Sequence, residues 1–227
     1  MVCRVWAAGI KKGKSMLIKK ADLPLVLAEL KKLYPKVIIP LQHKNAWQLL
    51  MAVILSAQCT DARVNQITPH LFKKYPTPQK LAAAKLADVE KMIHSAGFYH
   101  SKALSLIESS RRICEVYGGQ VPQSMRELLT LRGVARKTAN VILGDYFGTP
   151  EGVVVDTHVK RLSFRLGFTR QTDPVKIEQD LMKLIPHGQW QWIGIALILH
   201  GRSLCPARKP LCEKCPLSPW CPKNGVK

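Results

Sequence analysis

The sequence predicts an all-α fold. Three observations carry this. Apolar residues recur at helical spacing, as in Leu23, Leu27, Leu30 and Leu33 or Ile177, Leu181 and Leu184. Alternating or β-branched runs that would read as strands are almost absent. Proline and glycine punctuate the apolar segments at intervals that leave room for helices.

Residues 1–20 read as a basic, poorly ordered arm carrying Lys11, Lys12, Lys14, Lys19 and Lys20. A helix over 21–34 follows, and Pro35 and Pro40 bracket a linker. Residues 44–57 are apolar nearly all round, which predicts a central core helix. Thr60 or Asp61 can cap the next helix, whose Val64, Ile67 and Leu71 face inward. Pro76 and Pro78 break the chain. Residues 81–93 supply one or two short helices, and Gly97-Phe98-Tyr99 is a turn. A helix over 101–117 is stopped by Gly118-Gly119.

Residues 124–131 and 135–147 are two apolar helical arms joined by a tight turn at Gly133. After a loop at 148–152, Asp156 or Thr157 caps a helix running to Leu166. Asp173-Pro174 is an N-cap followed by proline at the first helical position. Pro186-His187-Gly188 ends that helix, and 190–200 forms the last long one. The remaining stretch is rich in cysteine and proline and has no helical period.

The 227 residues suffice for one large domain or two modest ones, and 47% apolar content excludes a disordered chain. Thirty-five basic against fifteen acidic residues leave a net charge of +20. An anionic partner would relieve that self-repulsion, and nucleic acid is the leading candidate. The apolar runs are too short to span a bilayer, and the lysines follow the weakly apolar N-terminus instead of preceding it. The expectation is a cytoplasmic, DNA-associated monomer with no membrane partner. An odd count of seven cysteines without a secretory signal argues against a disulfide framework. Cys59 and Cys114 read as core or semi-buried thiols.

The turn at Gly133 sits between two helices, and the start of the second offers free backbone N–H groups and a helix dipole. Such a site binds a phosphate without reading a base. Gly133 permits positive φ or close backbone approach, and Arg132, Arg136 and Thr138 lie beside it. Lys137 stands in the first turn of the second helix. The dipole and Arg136 both disfavour its ammonium form, which suits a nucleophilic amine. The plain alternative is a phosphate-binding or solvated lysine. Asp156 follows Val153-Val154-Val155, where N–H groups at a helix start can keep a carboxylate ionised. It reads as a simple N-cap, as a stabiliser of a developing cation, or as both.

Cys205, Cys212, Cys215 and Cys221 have the spacing C-x6-C-x2-C-x5-C and form a metal site. Spacing alone leaves open a [4Fe–4S] cluster or a structural zinc.

The hairpin with Lys137, the stretch Val153-Val154-Val155-Asp156-Thr157-His158 and the four cysteines together resemble the endonuclease III family. That family lies within the helix–hairpin–helix DNA glycosylase superfamily. The resemblance runs from about Leu23 to Pro222. It implies a two-domain helix–hairpin–helix glycosylase fold. A six-helix barrel would span 39–149, with the hairpin at about 123–147. A second helical domain would combine 21–38 with 150–227 and carry a [4Fe–4S] loop at 205–221. It implies removal of oxidised pyrimidines from double-stranded DNA containing a damaged base or abasic site, with the nucleotide flipped out of the duplex.

Under the same resemblance Lys137 attacks the sugar and forms a Schiff base, β-elimination nicks the strand, and Asp156 assists. Gln58 fills the gap left by the flipped nucleotide. Phe98 stands at a second wedge position, or else packs in the core. Asp61 and His158 are supporting residues. The family's usual Leu-Pro-Gly-Val-Gly is here Leu131-Arg132-Gly133-Val134-Ala135. The turn loses its proline, and a methyl is added where backbone approaches phosphate; Arg132 adds charge there. The alternatives are a monofunctional adenine or thymine mismatch glycosylase, and a non-catalytic iron–sulfur DNA-binding module. Monofunctional relatives generally lack the lysine, and adenine-specific ones carry a further C-terminal domain where this chain stops six residues after Cys221.

Overall fold

A computed structural model describes residues 16–226. Most of the expected basic arm, with Cys3, therefore lies outside the described residues. Among those described there are helices and turns and no strand. In order the helices are α1 (Leu23–Leu33), α2 (Ala46–Ser56), α3 (Asp61–Lys74), α4 (Pro78–Ala82), α5 (Leu86–Ile93) and α6 (Tyr99–Tyr117). They continue with α7 (Met125–Leu128), α8 (Arg136–Val141), α9 (Thr157–Arg165), α10 (Pro174–Leu184) and α11 (Trp190–Ser203). A π-helical turn, Ile142–Tyr146, extends α8, and 3₁₀ turns cover His187–Gln189 and Cys212–Lys214.

The chain divides into two compact units. Ile38–Glu151 is one, with α2 to α8. The other is built from both ends of the chain, through Val37 and from Gly152, with α1 and α9 to α11.

In the first unit α2 is the centre. Trp47, Leu49, Leu50, Met51, Ala52, Ile54 and Leu55 are all buried, as expected of a helix apolar all round. It packs against α3, α6, α8 and the π turn. Asn45 caps it by accepting from Gln48 N. The buried indole of Trp47 donates to Ser110 Oγ at 3.1 Å, so its polar edge is satisfied inside the core. Thr60 caps α3 and Thr77 caps α4 by the same device. Residues 78–93 form two short helices. The α6 helix closes with Gly118 left-handed at φ 59° and Gly119 N bonded to Ile113 O, a Schellman ending.

In the second unit Val26 and Leu30 of α1 pack with Val159 and Leu162 of α9, Ile177 and Leu181 of α10, and Ile193 and Leu197 of α11. Asp156 caps α9 and Asp173 caps α10. Met16 and Asn224, near the two ends of the described residues, are tied together. Asn224 donates to Met16 O at 2.8 Å and to Phe164 O at 2.9 Å, and accepts from Met16 N at 3.0 Å. Trp192 Nε1 donates to Tyr34 O at 2.9 Å, and the Lys31 ammonium lies 4.6 Å from the Trp192 ring.

Candidate functional site

The hairpin differs from two equal arms. Only Met125–Leu128 is helical in the first arm, and Ser124 caps it: Ser124 Oγ accepts from Glu127 N at 3.3 Å and donates to Glu127 Oε2 at 2.7 Å. The helix stops because Thr130 is drawn elsewhere. Its hydroxyl donates to Glu127 O at 2.7 Å, accepts from Arg112 Nε at 2.9 Å, and bonds the Tyr117 hydroxyl at 3.0 Å.

Gly133 has φ 77°, the left-handed region. Arg132, where the family has proline, is held twice. Ser109 Oγ donates to its carbonyl at 2.6 Å, and its guanidinium lies 3.0 Å from Glu108. Leu131 and Val134 are buried and anchor the turn to the core. Ala135 is the α8 N-cap in extended backbone and offers no side-chain acceptor to the first turn. By contrast Asn45, Thr60, Thr77, Ser124, Asp156 and Asp173 all cap their helices. The start of α8 thus keeps N–H groups that no capping side chain satisfies, flanked by the exposed side chains of Arg136 and Lys137; Thr138 is half-buried.

Gln58 and Phe98 are brought together in this unit. Ala57 (φ −56°, ψ 113°) and Gln58 (φ 53°) form the corners of a turn closed by Cys59 N to Ser56 O at 3.1 Å. That is a type II turn, whose third residue favours glycine; glutamine there is strained. Phe98 is likewise left-handed, at φ 59° and ψ 33°, and precedes α6. A β-carbon on Gly97 would lie 3.7 Å from Gln58 O, so the two turns are neighbours. Phe98 is 67% exposed, which excludes the core-packing alternative. Cys59 and Cys114 are half-buried thiols, and burial pushes that of Cys114 up.

Asp156 belongs to the other unit. Its Oδ1 accepts from Val159 N at 2.8 Å, so it is the cap, and Thr157 is not. His158 Nδ1 lies 3.1 Å from Arg161 Nη2. Burial, then the Arg161 and Arg202 charges, hold His158 below the usual histidine value; Asp156 opposes them.

Cys205, Cys212, Cys215 and Cys221 line one pocket, with Leu162 and Pro210 among its walls. Among the described residues no three His, Cys, Asp or Glu side chains converge to hold a single ion. Burial pushes the Cys221 thiol up to about 11 and raises that of Cys215. Thiolate ligation there draws on a bound cation's charge. Two arginines, Arg161 and Arg165, are buried and hold this loop. Arg161 Nη2 donates to Gly201 O at 3.0 Å and Cys205 O at 3.1 Å. Arg165 Nη1 donates to Pro206 O at 2.7 Å and Cys205 Sγ at 3.2 Å, and Nη2 to Ala207 O at 2.9 Å. Their i, i+4 spacing on one helix face is the available signal, but nothing nearby in sequence reveals the partners.

A family model described as HhH-GPD superfamily base excision DNA repair protein matches residues 51–187. The chain is 53% identical over 209 residues to an endonuclease III of Synechocystis sp., covering 92% of this chain and 95% of that protein. It is 41% identical over 212 residues to an endonuclease III of Bacillus subtilis, covering 93% and 96%. A solved structure of a trapped endonuclease III–DNA covalent intermediate aligns with TM-score 0.86 at 42% identity, over 92% of this chain and 98% of that one. A thermostable thymine-DNA glycosylase aligns with TM-score 0.76 at 24% identity, over 89% and 94%, a likeness of fold. No helix among the described residues is long and apolar enough to cross a membrane.

Proposed function

The chain belongs to the HhH-GPD superfamily of base excision DNA repair proteins and, within it, to the endonuclease III family, and on that premise we propose how its residues work. It is a base-excision-repair DNA glycosylase with AP lyase activity, acting on double-stranded DNA. Its substrates are oxidised pyrimidines and abasic sites, and it works in the cytoplasm, where it meets the DNA. The observation that carries this reading is an exposed lysine, Lys137, in the uncapped first turn behind a left-handed Gly133, in a chain 42% identical to a protein caught in a covalent intermediate with DNA.

The uncapped N–H groups of α8 and the charge of Arg136 bind a phosphate beside the lesion. Arg132 and Thr138 flank it, and Ala135 sits where the backbone approaches. Gln58 and Phe98 enter the space that the flipped nucleotide leaves, and His158 supports the bound DNA. Neutral Lys137 Nζ forms a bond to the sugar C1′ as the bond from C1′ to the base nitrogen breaks. The base leaves with the proton that the attacking nitrogen sheds; the nitrogen lone pair then forms C1′=N as the C1′–O4′ bond breaks, and O4′ takes a proton from water, giving the protonated Schiff base. Removal of a C2′ proton then expels the 3′ phosphate. The Asp156 carboxylate, which accepts from the Val159 N–H, stabilises positive charge on the sugar or takes the lysine's proton.

Cys205, Cys212, Cys215 and Cys221 are the residues that would hold a [4Fe–4S] cluster. Thiols set round a pocket suit a cluster that offers each its own iron, whereas one zinc needs all four sulfurs within about 2.3 Å of a point. When bound, such a cluster cross-links the loop and supplies redox-active iron.

Borohydride trapping on duplexes carrying thymine glycol or an abasic site tests the reading. Wild-type protein should give a covalent adduct, and Lys137→Ala should give none. Base release by the wild type without any trapped adduct would point to a monofunctional enzyme.

A further inference from the structure

Lys102 is a buried lysine that the chemistry above does not use. It sits in the first turn of α6, with its backbone N bonded to Phe98 O at 3.1 Å. Its side chain is only 6% exposed and runs across to α2, where Nζ donates to Leu55 O at 2.8 Å. Leu55 lies in the last turn of α2, whose carbonyls have no donor within the helix once the chain turns off at Ala57. A cation at a helix C-terminus is also favoured by the dipole. Burial alone works against this ammonium, and the Cys59 thiol beside it offsets some of that.

The two helix ends that this contact joins are the ones that carry Gln58 and Phe98. Both of those residues are exposed, both hold left-handed backbone that their side chains disfavour, and their turns touch through Gly97 and Gln58 O. Such strain persists only where surrounding structure over-determines it. A methionine would fill the same space without the desolvation cost, but it could not grip a carbonyl. We propose that Lys102 is a positioning residue that fixes Gln58 and Phe98 relative to each other, and so sets the rate at which they enter the duplex while leaving the chemistry at the sugar alone. This rests on the reading of Gln58 and Phe98 as DNA wedges.

The test uses full-length protein and Lys102→Met. One substrate is a duplex with 2-aminopurine beside a thymine glycol, followed by stopped-flow fluorescence and single-turnover base release. The other is a single-stranded abasic oligonucleotide followed by borohydride trapping, where no partner strand needs wedging. K102M should slow the fluorescence phase and duplex excision by about ten- to a hundredfold, the scale on which small misplacements act. Trapping on the single strand should stay at the wild-type rate. Amide hydrogen exchange should rise at 57–59 and 97–99 but not in the body of α6. Lys102→Arg, which keeps a cationic donor, should restore most of the fluorescence rate. If K102M does not fold, K102R should show the same split between the two substrates at smaller size.

Equal fluorescence kinetics in K102M and wild type would overturn the proposal. So would an equal loss on both substrates, which is the mark of a general structural role. Wild-type protein that releases no base and traps on neither substrate would instead overturn the glycosylase reading on which the proposal stands.

Discussion

Ser105 occupies the space that a side chain at position 133 would need: a β-carbon on Gly133 would lie 2.9 Å from both Ser105 Cβ and Oγ. Ile54 Cγ2 would be 3.5 Å away. The hairpin glycine is therefore required by the protein's own core as well as by its φ of 77°. Gly133→Ala should destabilise the protein by about 2–3 kcal/mol, from left-handed strain plus overpacking against α6. Urea unfolding measures the loss. A double-mutant cycle with Ser105→Gly should show a coupling of about 1 kcal/mol, because the second change opens the space and leaves the strain. Additive effects would mean that backbone strain alone accounts for the glycine.

Asp156 is both the α9 cap and the proposed active-site carboxylate, and two substitutions separate these duties. Asparagine caps a helix as well as aspartate, so Asp156→Asn should cost about a few tenths of a kcal/mol at most, whereas Asp156→Ala should cost about 1 kcal/mol. Both should lower single-turnover base release by about a hundredfold or more, because each removes the anion. Thermal melts and excision rates on the same preparations decide it. Wild-type excision by Asp156→Asn would reduce Asp156 to a cap.

The groups whose chemistry is local in sequence are legible there. The left-handed turn at Gly133, the exposed Lys137 behind it, the Asp156 cap and the gathering of the four cysteines are read from neighbours within a few residues, and helix spacing locates every long helix. What escapes depends on partners far along the chain. Lys102 finds Leu55, Arg165 finds residues 205–207, and Ser105 meets Gly133; composition reads long charged side chains as surface. The first hairpin arm is shorter than its apolar pattern for the same reason, since Thr130 is captured by Arg112 and Tyr117. Phe98 is ambiguous in sequence because an aromatic beside a glycine says nothing of its backbone, and only the left-handed φ turns its ring outward.

Buried Arg165 holds the cysteine loop through Pro206 O, Ala207 O and the Cys205 sulfur, so its loss removes three bonds from that loop at once. Arg165→Ala should cost about 3 kcal/mol or more, the scale for breaking a buried charge-assisted set. Arg165→Lys keeps charge but cannot span these acceptors with a planar fork, and should recover only part of that. Iron and acid-labile sulfide per chain, assayed after purification, should fall in the order wild type, Arg165→Lys, Arg165→Ala. Full iron content in Arg165→Ala would show that the loop holds its shape without the guanidinium.

His158 gives the stability a pH dependence whose sign follows from its surroundings. Burial and the Arg161 and Arg202 charges hold it below the usual value of 6.5, and its Nδ1 lies 3.1 Å from Arg161 Nη2. Between its folded pKa and 6.5 the unfolded chain binds the extra proton, so folding stability rises with pH across that window. The contribution is complete above 6.5 and is lost as the pH falls through that value toward the folded pKa. His158→Gln keeps an acceptor for Arg161 and cannot titrate. Urea unfolding from neutral to mildly acidic pH should therefore give a shallower decline for His158→Gln than for wild type. The two curves should differ most at the acid end, where protonation of His158 would set an imidazolium against two guanidinium groups. Parallel curves would show that His158 carries no part of the acid sensitivity.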